Sequence, residues 1–233
     1  GQLDNTLILC SSDNGTSAPT SNMSDLVKLG HFPSGDLRGS KADIWDGGHR
    51  VPFIVSWPSH VQPGSRSSDL ICLGDVLATV ASVTDQQLPP GSAEDSVSCA
   101  HLLGGPTPSV SRKSVVHHSV SGYFAIRSGN WKLCMCPGSG GWTQPKPNAK
   151  LWKAAEKNGN PLVQLYDLSM DIGEQTNLAG QHPDIVARLR GELEKIVANG
   201  RWVLGVLVDG PLQNLPTPAA ASLSSDLISL ADG

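Results

Sequence analysis

The chain has 233 residues, 39% of them hydrophobic and 16% charged, with a formal net charge of −4. That is long enough to bury a sizeable core in one large or two small domains. It carries no Lys/Arg-rich block to neutralise nucleic-acid phosphates and no run near the roughly 18 apolar residues that would span a bilayer.

The first predicted element is a strand over Thr6 to Cys10. Its unbroken apolar run Leu7-Ile8-Leu9 reads as a strand covered on both faces, and it leads directly into Ser12-Asp13-Asn14-Gly15. In open α/β sheets ligands collect outside the carboxyl ends of parallel strands. Asp13 and Asn14 there offer a carboxylate and an amide oxygen, a donor pair that suits Ca²⁺ or Mg²⁺ better than zinc or copper. The same four residues also read as a turn, because Asn-Gly is a strong hairpin signal. Two ligands cannot hold an ion, so the others must come from elsewhere. The opening Gly1-Gln2-Leu3-Asp4 has neither the basic start nor the apolar middle of a signal peptide, and a strand so close to the first residue suggests a fragment.

A long polar loop follows, and a second apolar run, Val51 to Trp57, predicts another central strand with Pro52 at its start. Asp75 opens a short helix, with Val76, Leu77, Val80 and Val83 on one face and Asp75 placed to cap the free amides. The Pro-, Gly- and Ser-rich stretch from Pro89 to Arg112 reads as a connector. Beyond Lys113 the pattern changes to strands: His117 to Arg127 and Asn130 to Met135, joined at Ser128-Gly129, then Val163 to Leu168, which together make a small antiparallel sheet. A short helix is predicted at about Ala149 to Lys157. A longer one has Pro183 in its first turn, a stripe of Ile185, Leu189, Leu193 and Ile196, and Gly200 as its stop. From Trp202 to Gly233 there is no Lys or Arg, and a poorly ordered tail is expected.

The five cysteines, Cys10, Cys72, Cys99, Cys134 and Cys136, have no regular spacing. Cys134-Met135-Cys136 lacks a matching second pair for a metal clip, so free thiols are expected. His117 and His118 are adjacent on a strand and face opposite ways, which favours structural roles over a ligand pair. Gly138-Ser139-Gly140-Gly141 lacks the lysine of a phosphate loop, and no Gly-x-Ser-x-Gly elbow occurs.

Just before the second strand stands Leu37-Arg38-Gly39-Ser40-Lys41-Ala42-Asp43-Ile44-Trp45-Asp46-Gly47-Gly48-His49-Arg50-Val51-Pro52. Taken with Ser12-Asp13-Asn14-Gly15 and Trp57-Pro58, it resembles the carboxyl-terminal half of a type I, formylglycine-dependent sulfatase of the arylsulfatase A-like kind. Further matches are Glu94-Asp95-Ser96-Val97, His117-His118, Phe124-Ala125-Ile126-Arg127, Trp131-Lys132-Leu133, Leu165-Tyr166-Asp167-Leu168, Gly173-Glu174 and Asn177-Leu178. The resemblance covers about residues 3 to 201.

It implies an α/β fold: the end of an alkaline-phosphatase-like sulfatase sheet domain over 1–112, a small antiparallel sheet-plus-helix subdomain over 113–201, and a divergent tail over 202–233. It implies that Asp13 and Asn14 are metal ligands for Ca²⁺, ahead of Mg²⁺, and that Lys41 contacts a sulfate oxygen. Arg38, His49 and Arg50 are read as bracing the loop. The implied substrate is a sulfate ester such as a sulfated glycan, and the implied location is the periplasm or the exterior. The family's nucleophile is a formylglycine made within Cys/Ser-x-Pro-x-Arg, a motif these 233 residues do not contain. The amino-terminal half of the same protein is therefore an expected partner, and no catalytic nucleophile is assigned within this chain. Asp46 stands where the family usually has Glu, and Ile172 where it usually has Pro. Two alternatives stay open: a phosphate mono- or diester metallohydrolase of the alkaline phosphatase superfamily, and a noncatalytic sulfated-glycan-binding remnant using Trp45, Trp131 and Trp142 with Lys41.

Overall fold

A computed structural model describes residues 1–105, 111–146, 149–157 and 161–200; the tail expected over 202–233 lies outside the described residues. The chain forms two compact units. Among the described residues, one takes Gly1–Ser11, Pro52–Val115 and 195–200, and the other takes Ser12–Val51 and Val116–Glu194. The sequence reading divides the chain linearly at 112, whereas in the structure residues 12–51 group with the later sheet.

In the first unit, β1 (Ile8–Ser11) pairs antiparallel with β2 (Phe53–Ser56), from Ile8 opposite Ser56 to Ser11 opposite Phe53. This corrects the expectation of parallel strands covered on both faces. Among the described residues the two strands pair only with each other, and Ile8 and Ile54 are 44% and 61% exposed. Pro52 lies just outside β2, where its missing N–H costs no ladder bond, and its carbonyl accepts a bond from Ser11 Oγ at 2.7 Å.

Two short helices of the other unit, α1 (Met23–Lys28) and α2 (Asp46–His49), precede in sequence the helix expected after Asp75, α3 (Val76–Val83). Its expected apolar stripe is not what it buries. Thr79 and Ala81 are buried, while Leu77 and Val80 stay exposed. Nor does the Asp75 side chain cap the helix. Its carboxylate is already occupied, accepting bonds from the Cys72 and Val97 amides at 2.9 and 2.8 Å and from two nitrogens of Arg112. Arg112 and Asp75 are both nearly sealed from solvent. The stretch read as a connector consequently contains core: Val97, Cys99, Ala100 and Leu103 are buried, the last two in a 3-10 turn over Ala100–Leu103.

The second unit holds a four-stranded sheet in the order β3 (Ser114–His118), β4 (Phe124–Ser128), β5 (Trp131–Cys134), β6 (Gln164–Asp167). β5 is antiparallel to both neighbours, with Arg127 and Tyr166 flanking Lys132. The single long strand expected over His117 to Arg127 is two strands. The chain reverses at Ser119–Tyr123, where the Ser119 amide bonds the Tyr123 carbonyl at 2.9 Å and Gly122 takes a φ of +81° that suits only glycine. The predicted turn at Ser128-Gly129 and the helix α4 (Ala149–Lys157) are found as expected. So is α5 (Pro183–Asn199): Leu189, Leu193 and Ile196 are 0%, 1% and 3% exposed, spaced at the helical period. The core of this unit gathers Ile44, Trp45, Ala125, Cys134, Tyr166 and Leu168. All five cysteines are free, and burial pushes the Cys136 thiol up to about 12.

Two outcomes follow. Leu189→Ala should lower stability by about 2–5 kcal/mol, read from denaturant unfolding, because it opens a cavity at a fully buried position. The open faces of β1 and β2 should make the 233-residue chain self-associate, and Ile54→Lys should reduce that in sedimentation velocity; a monomeric wild-type chain would contradict it.

Candidate functional site

β1 ends at Ser11, and the chain then enters the second unit as the loop Ser12–Thr16. Two backbone bonds seat this loop. The Gly15 amide donates to the Gly48 carbonyl at 3.0 Å, and the Lys41 amide donates to the Thr16 carbonyl at 2.9 Å. Residues 28 positions apart in sequence are thereby neighbours: Asp13 and Asn14 stand immediately before one bond, and Lys41 makes the other. The approach leaves no room for a side chain, since a Cβ on Gly15 would lie 1.8 Å from the Gly47 carbonyl oxygen.

The side chains at this junction are free to act on a ligand. Asp13 is exposed, and neither its carboxylate nor the Lys41 ammonium has a hydrogen-bond or ion-pair partner among the described residues. Asn14 spends its amide nitrogen on the Gly15 carbonyl at 3.1 Å, which leaves its side-chain oxygen to accept or coordinate. Two hard oxygen donors fit Ca²⁺ or Mg²⁺ in kind, though not in number. Among the described residues no group of three or more His, Cys, Asp or Glu could hold a metal ion.

Beneath the junction lies a buried ionic cluster. Lys132 on β5 is 0% exposed and its ammonium sits 2.7 Å from Asp46 Oδ1 and 2.8 Å from Glu174 Oε1. Burial alone would lower the lysine pKa, but the two carboxylates outweigh it and hold the ammonium charged. The carboxylates part ways: burial pushes Glu174 up, while the Lys132 charge overcomes burial at Asp46 and brings it down. The second oxygen of Glu174 accepts the Asp46 amide at 2.6 Å, and its carbonyl accepts Arg38 Nη1 at 2.6 Å. Arg38 also lies 3.7 Å over the Trp45 ring, and Arg50 reaches Asp46 at 3.7 Å. Arg38 and Arg50 thus brace the loop, as the sequence suggested.

Sequence reasoning missed the structural weight of Lys132 and Glu174. The available signal was a lysine inside the otherwise apolar strand Trp131-Lys132-Leu133-Cys134, which requires counter-charges. Trp45 is 1% exposed and belongs to the core, so it offers no face to a glycan.

His117 and His49 stack with ring centroids 4.2 Å apart, His117 bonding the Ile44 carbonyl at 3.1 Å, while His118 bonds the Ser119 carbonyl. Burial, then the charge of Lys132, drives His49 from 6.5 down to about 4 and His117 well below its ordinary value. A histidine depressed in the folded state leaves the unfolded chain binding more protons between the two values. Its stabilising effect is therefore complete above about pH 6.5 and is lost as pH falls towards 4. Thermal melts across that window should show stability falling with acid, and His49→Leu should flatten the slope.

The Sulfatase family model matches residues 1–86. The N-acetylgalactosamine-6-O-sulfatase of Bacteroides thetaiotaomicron is 33% identical over 197 residues, covering 83% of this chain and 36% of that protein. Arylsulfatase A of Homo sapiens is 28% identical over 200 residues, covering 82% and 37%. A solved structure from work on the metabolism of multiple glycosaminoglycans by Bacteroides thetaiotaomicron superposes with a TM-score of 0.67 at 33% identity, over 83% of this chain and 39% of that one. The chain spans little more than a third of the length of these relatives and corresponds to their carboxyl-terminal part. The expected alkaline-phosphatase-like α/β fold is borne out by the structural likeness. A superposable fold, a 33% identical relative and a matching family model together establish that this chain belongs to the sulfatase family.

Proposed function

We propose that this chain contributes the cation-binding and sulfate-binding residues of a sulfatase that hydrolyses sulfate esters. The observation that carries the reading is the seating of Asp13-Asn14 against Lys41 through the Gly15–Gly48 and Lys41–Thr16 bonds, with a free carboxylate, an available amide oxygen and a free ammonium. In this reading Asp13 and the Asn14 side-chain oxygen hold Ca²⁺, ahead of Mg²⁺, and other donors complete the shell. When bound, the cation supplies fixed positive charge that polarises the sulfate oxygens.

Lys41 acts on the same group. As the ester S–O bond breaks, negative charge builds on the sulfuryl and leaving oxygens, and an ammonium held in place stabilises it without reorganising. The nucleophile, a formylglycine by resemblance, lies outside these 233 residues, which contain no Cys/Ser-x-Pro-x-Arg. The 233-residue polypeptide alone is accordingly inactive. The substrate is a sulfated glycan; the name of the 33% identical relative, an N-acetylgalactosamine-6-O-sulfatase, supports a 6-sulfated hexosamine. Such a substrate places the protein in the periplasm or outside the cell. No helix among the described residues is long and apolar enough to cross a membrane.

The test is carried out on the intact protein, with metal analysis and turnover of sulfate and phosphate esters side by side. Calcium with sulfate-ester hydrolysis is expected, Lys41→Ala lowering kcat by about 10²–10³ as loss of a transition-state charge partner does. Joint replacement of Asp13 and Asn14 by alanine should abolish calcium retention. Zinc or manganese with phosphate-ester turnover would make it a phosphohydrolase instead, and saturable glycan binding without turnover would make it a binding protein.

A further inference from the structure

Asp13 is exposed and Asn14 and Lys41 are half-buried, and the one side-chain bond among them, Asn14 to the Gly15 carbonyl, is local, so their position must be set by the backbone that carries them. We propose that the buried Lys132–Asp46–Glu174 cluster is the positioning device of this site, acting through the Asp46–Gly48 turn on Asp13, Asn14 and Lys41. The inference rests on the sulfatase reading of that junction and adds three residues to it.

The connection can be followed bond by bond. Lys132, rooted in the centre of β5, grips the side chain of Asp46, the first residue of α2. Glu174 grips the same ammonium with one oxygen and the Asp46 amide with the other, so this residue is held by side chain and backbone together. One residue on, the Gly47 amide bonds the Arg38 carbonyl at 2.7 Å, and Arg38 is itself bonded to the Glu174 carbonyl. The next residue, Gly48, presents the carbonyl that receives the Gly15 amide. Asn14 and Asp13 are one and two residues from that amide, a reach of about 3.8 Å per residue, so a shift of the turn is passed to the ligands with little slack.

The packing rules out a loose coupling. A Cβ at Gly47 would stand 2.4 Å from both the Arg38 and Gly39 carbonyl oxygens, and one at Gly15 would stand 1.8 Å from that of Gly47. Three backbone segments are therefore in direct contact at this turn. The chemistry of the cluster points the same way. Apolar side chains of similar volume would serve stability at least as well as three buried ions, because ion desolvation offsets most of the attraction. The hydrogen bond from Lys132 to Asp46, the Asp46 amide bond to Glu174 and the close Lys132–Glu174 ion pair fix the turn's height and rotation over β5, which apolar contacts do not.

The experiment compares the intact wild-type protein with Asp46→Asn, which keeps the size and one acceptor for Lys132 but removes the charge, with Lys132→Met, and with Leu189→Ala as a destabilised control in α5. Amide hydrogen exchange at Gly15 and Lys41 and the calcium dissociation constant by titration calorimetry are the readouts. Asp46→Asn should speed exchange at both amides at least tenfold, leave the amides of α5 unchanged and weaken calcium binding about tenfold; Leu189→Ala should lower the melting temperature and leave both readouts where they were. Unchanged exchange and calcium affinity in Asp46→Asn, with only a lower melting temperature, would overturn the positioning role. If Lys132→Met does not fold, Asp46→Asn decides alone. Should wild-type protein bind no calcium, the metal reading fails, and exchange at Gly15 and Lys41 still judges the positioning.

Discussion

A lysine ammonium with no access to water and two carboxylates within hydrogen-bonding distance is the constraint on which the second unit is organised. An ion taken out of water loses several kcal/mol of hydration, and it is tolerated only where opposite charges and hydrogen bonds replace the solvent. Lys132 obtains them from Asp46, 86 residues before it, and from Glu174, beyond β6. Because the ammonium tolerates little displacement of either carboxylate, the segment carrying Asp46 must lie on the sheet at one height. The neighbouring charges follow suit: Arg38 bonds the Glu174 carbonyl and covers Trp45, and Arg50 offsets the surplus negative charge at Asp46.

The first unit solves its own assembly in the same currency. Asp75 is buried, and its two oxygens serve the Arg112 guanidinium and the amides of Cys72 and Val97. One carboxylate thereby ties together three stretches of chain that have little regular structure. The fork of the guanidinium matches the carboxylate, which makes such a pair directional as well as strong. Each unit thus uses a buried acid–base contact where short elements and long loops offer little ladder bonding.

Against this buried framework the candidate site is polar, open and made of loop residues. That division is physically sensible. A group that must exchange water for a cation or a sulfate oxygen cannot be locked into internal bonds, so its position has to come from the backbone below it. Gly15, Gly47 and Gly48 make that transfer, since the three strands of backbone approach too closely for any side chain. The histidine pair beside the turn adds a pH limit, because a proton there would be partly desolvated and would meet the charge of Lys132.

Much of this protein was legible in the residues alone. The apolar run ending in Ser-Asp-Asn-Gly, the Lys41 string and the later matches point to the sulfatase family, while the nearness of Asp13 and Asn14 to Lys41 rests on two backbone bonds that only the fold makes. Period and terminal signals located α4, α5 and the small sheet, since helix stripes, Pro at a first turn and Gly at a stop are local properties of sequence. What depended on distant partners was not legible. Leu7-Ile8-Leu9 is apolar whichever strand it meets, and only the fold pairs β1 antiparallel with β2. Asp75 has the chemistry of a helix cap, yet Arg112 and two amides claim it first. The chain turns at Ser119–Tyr123 because Gly122 permits it, where an apolar alternation runs on through both strands. Lys132 could be recognised as needing counter-charges, but which carboxylates supply them is decided by a sheet that brings residues 46, 132 and 174 to one point. Chain identity set the groups available for chemistry; long-range packing set which of them were left free to perform it.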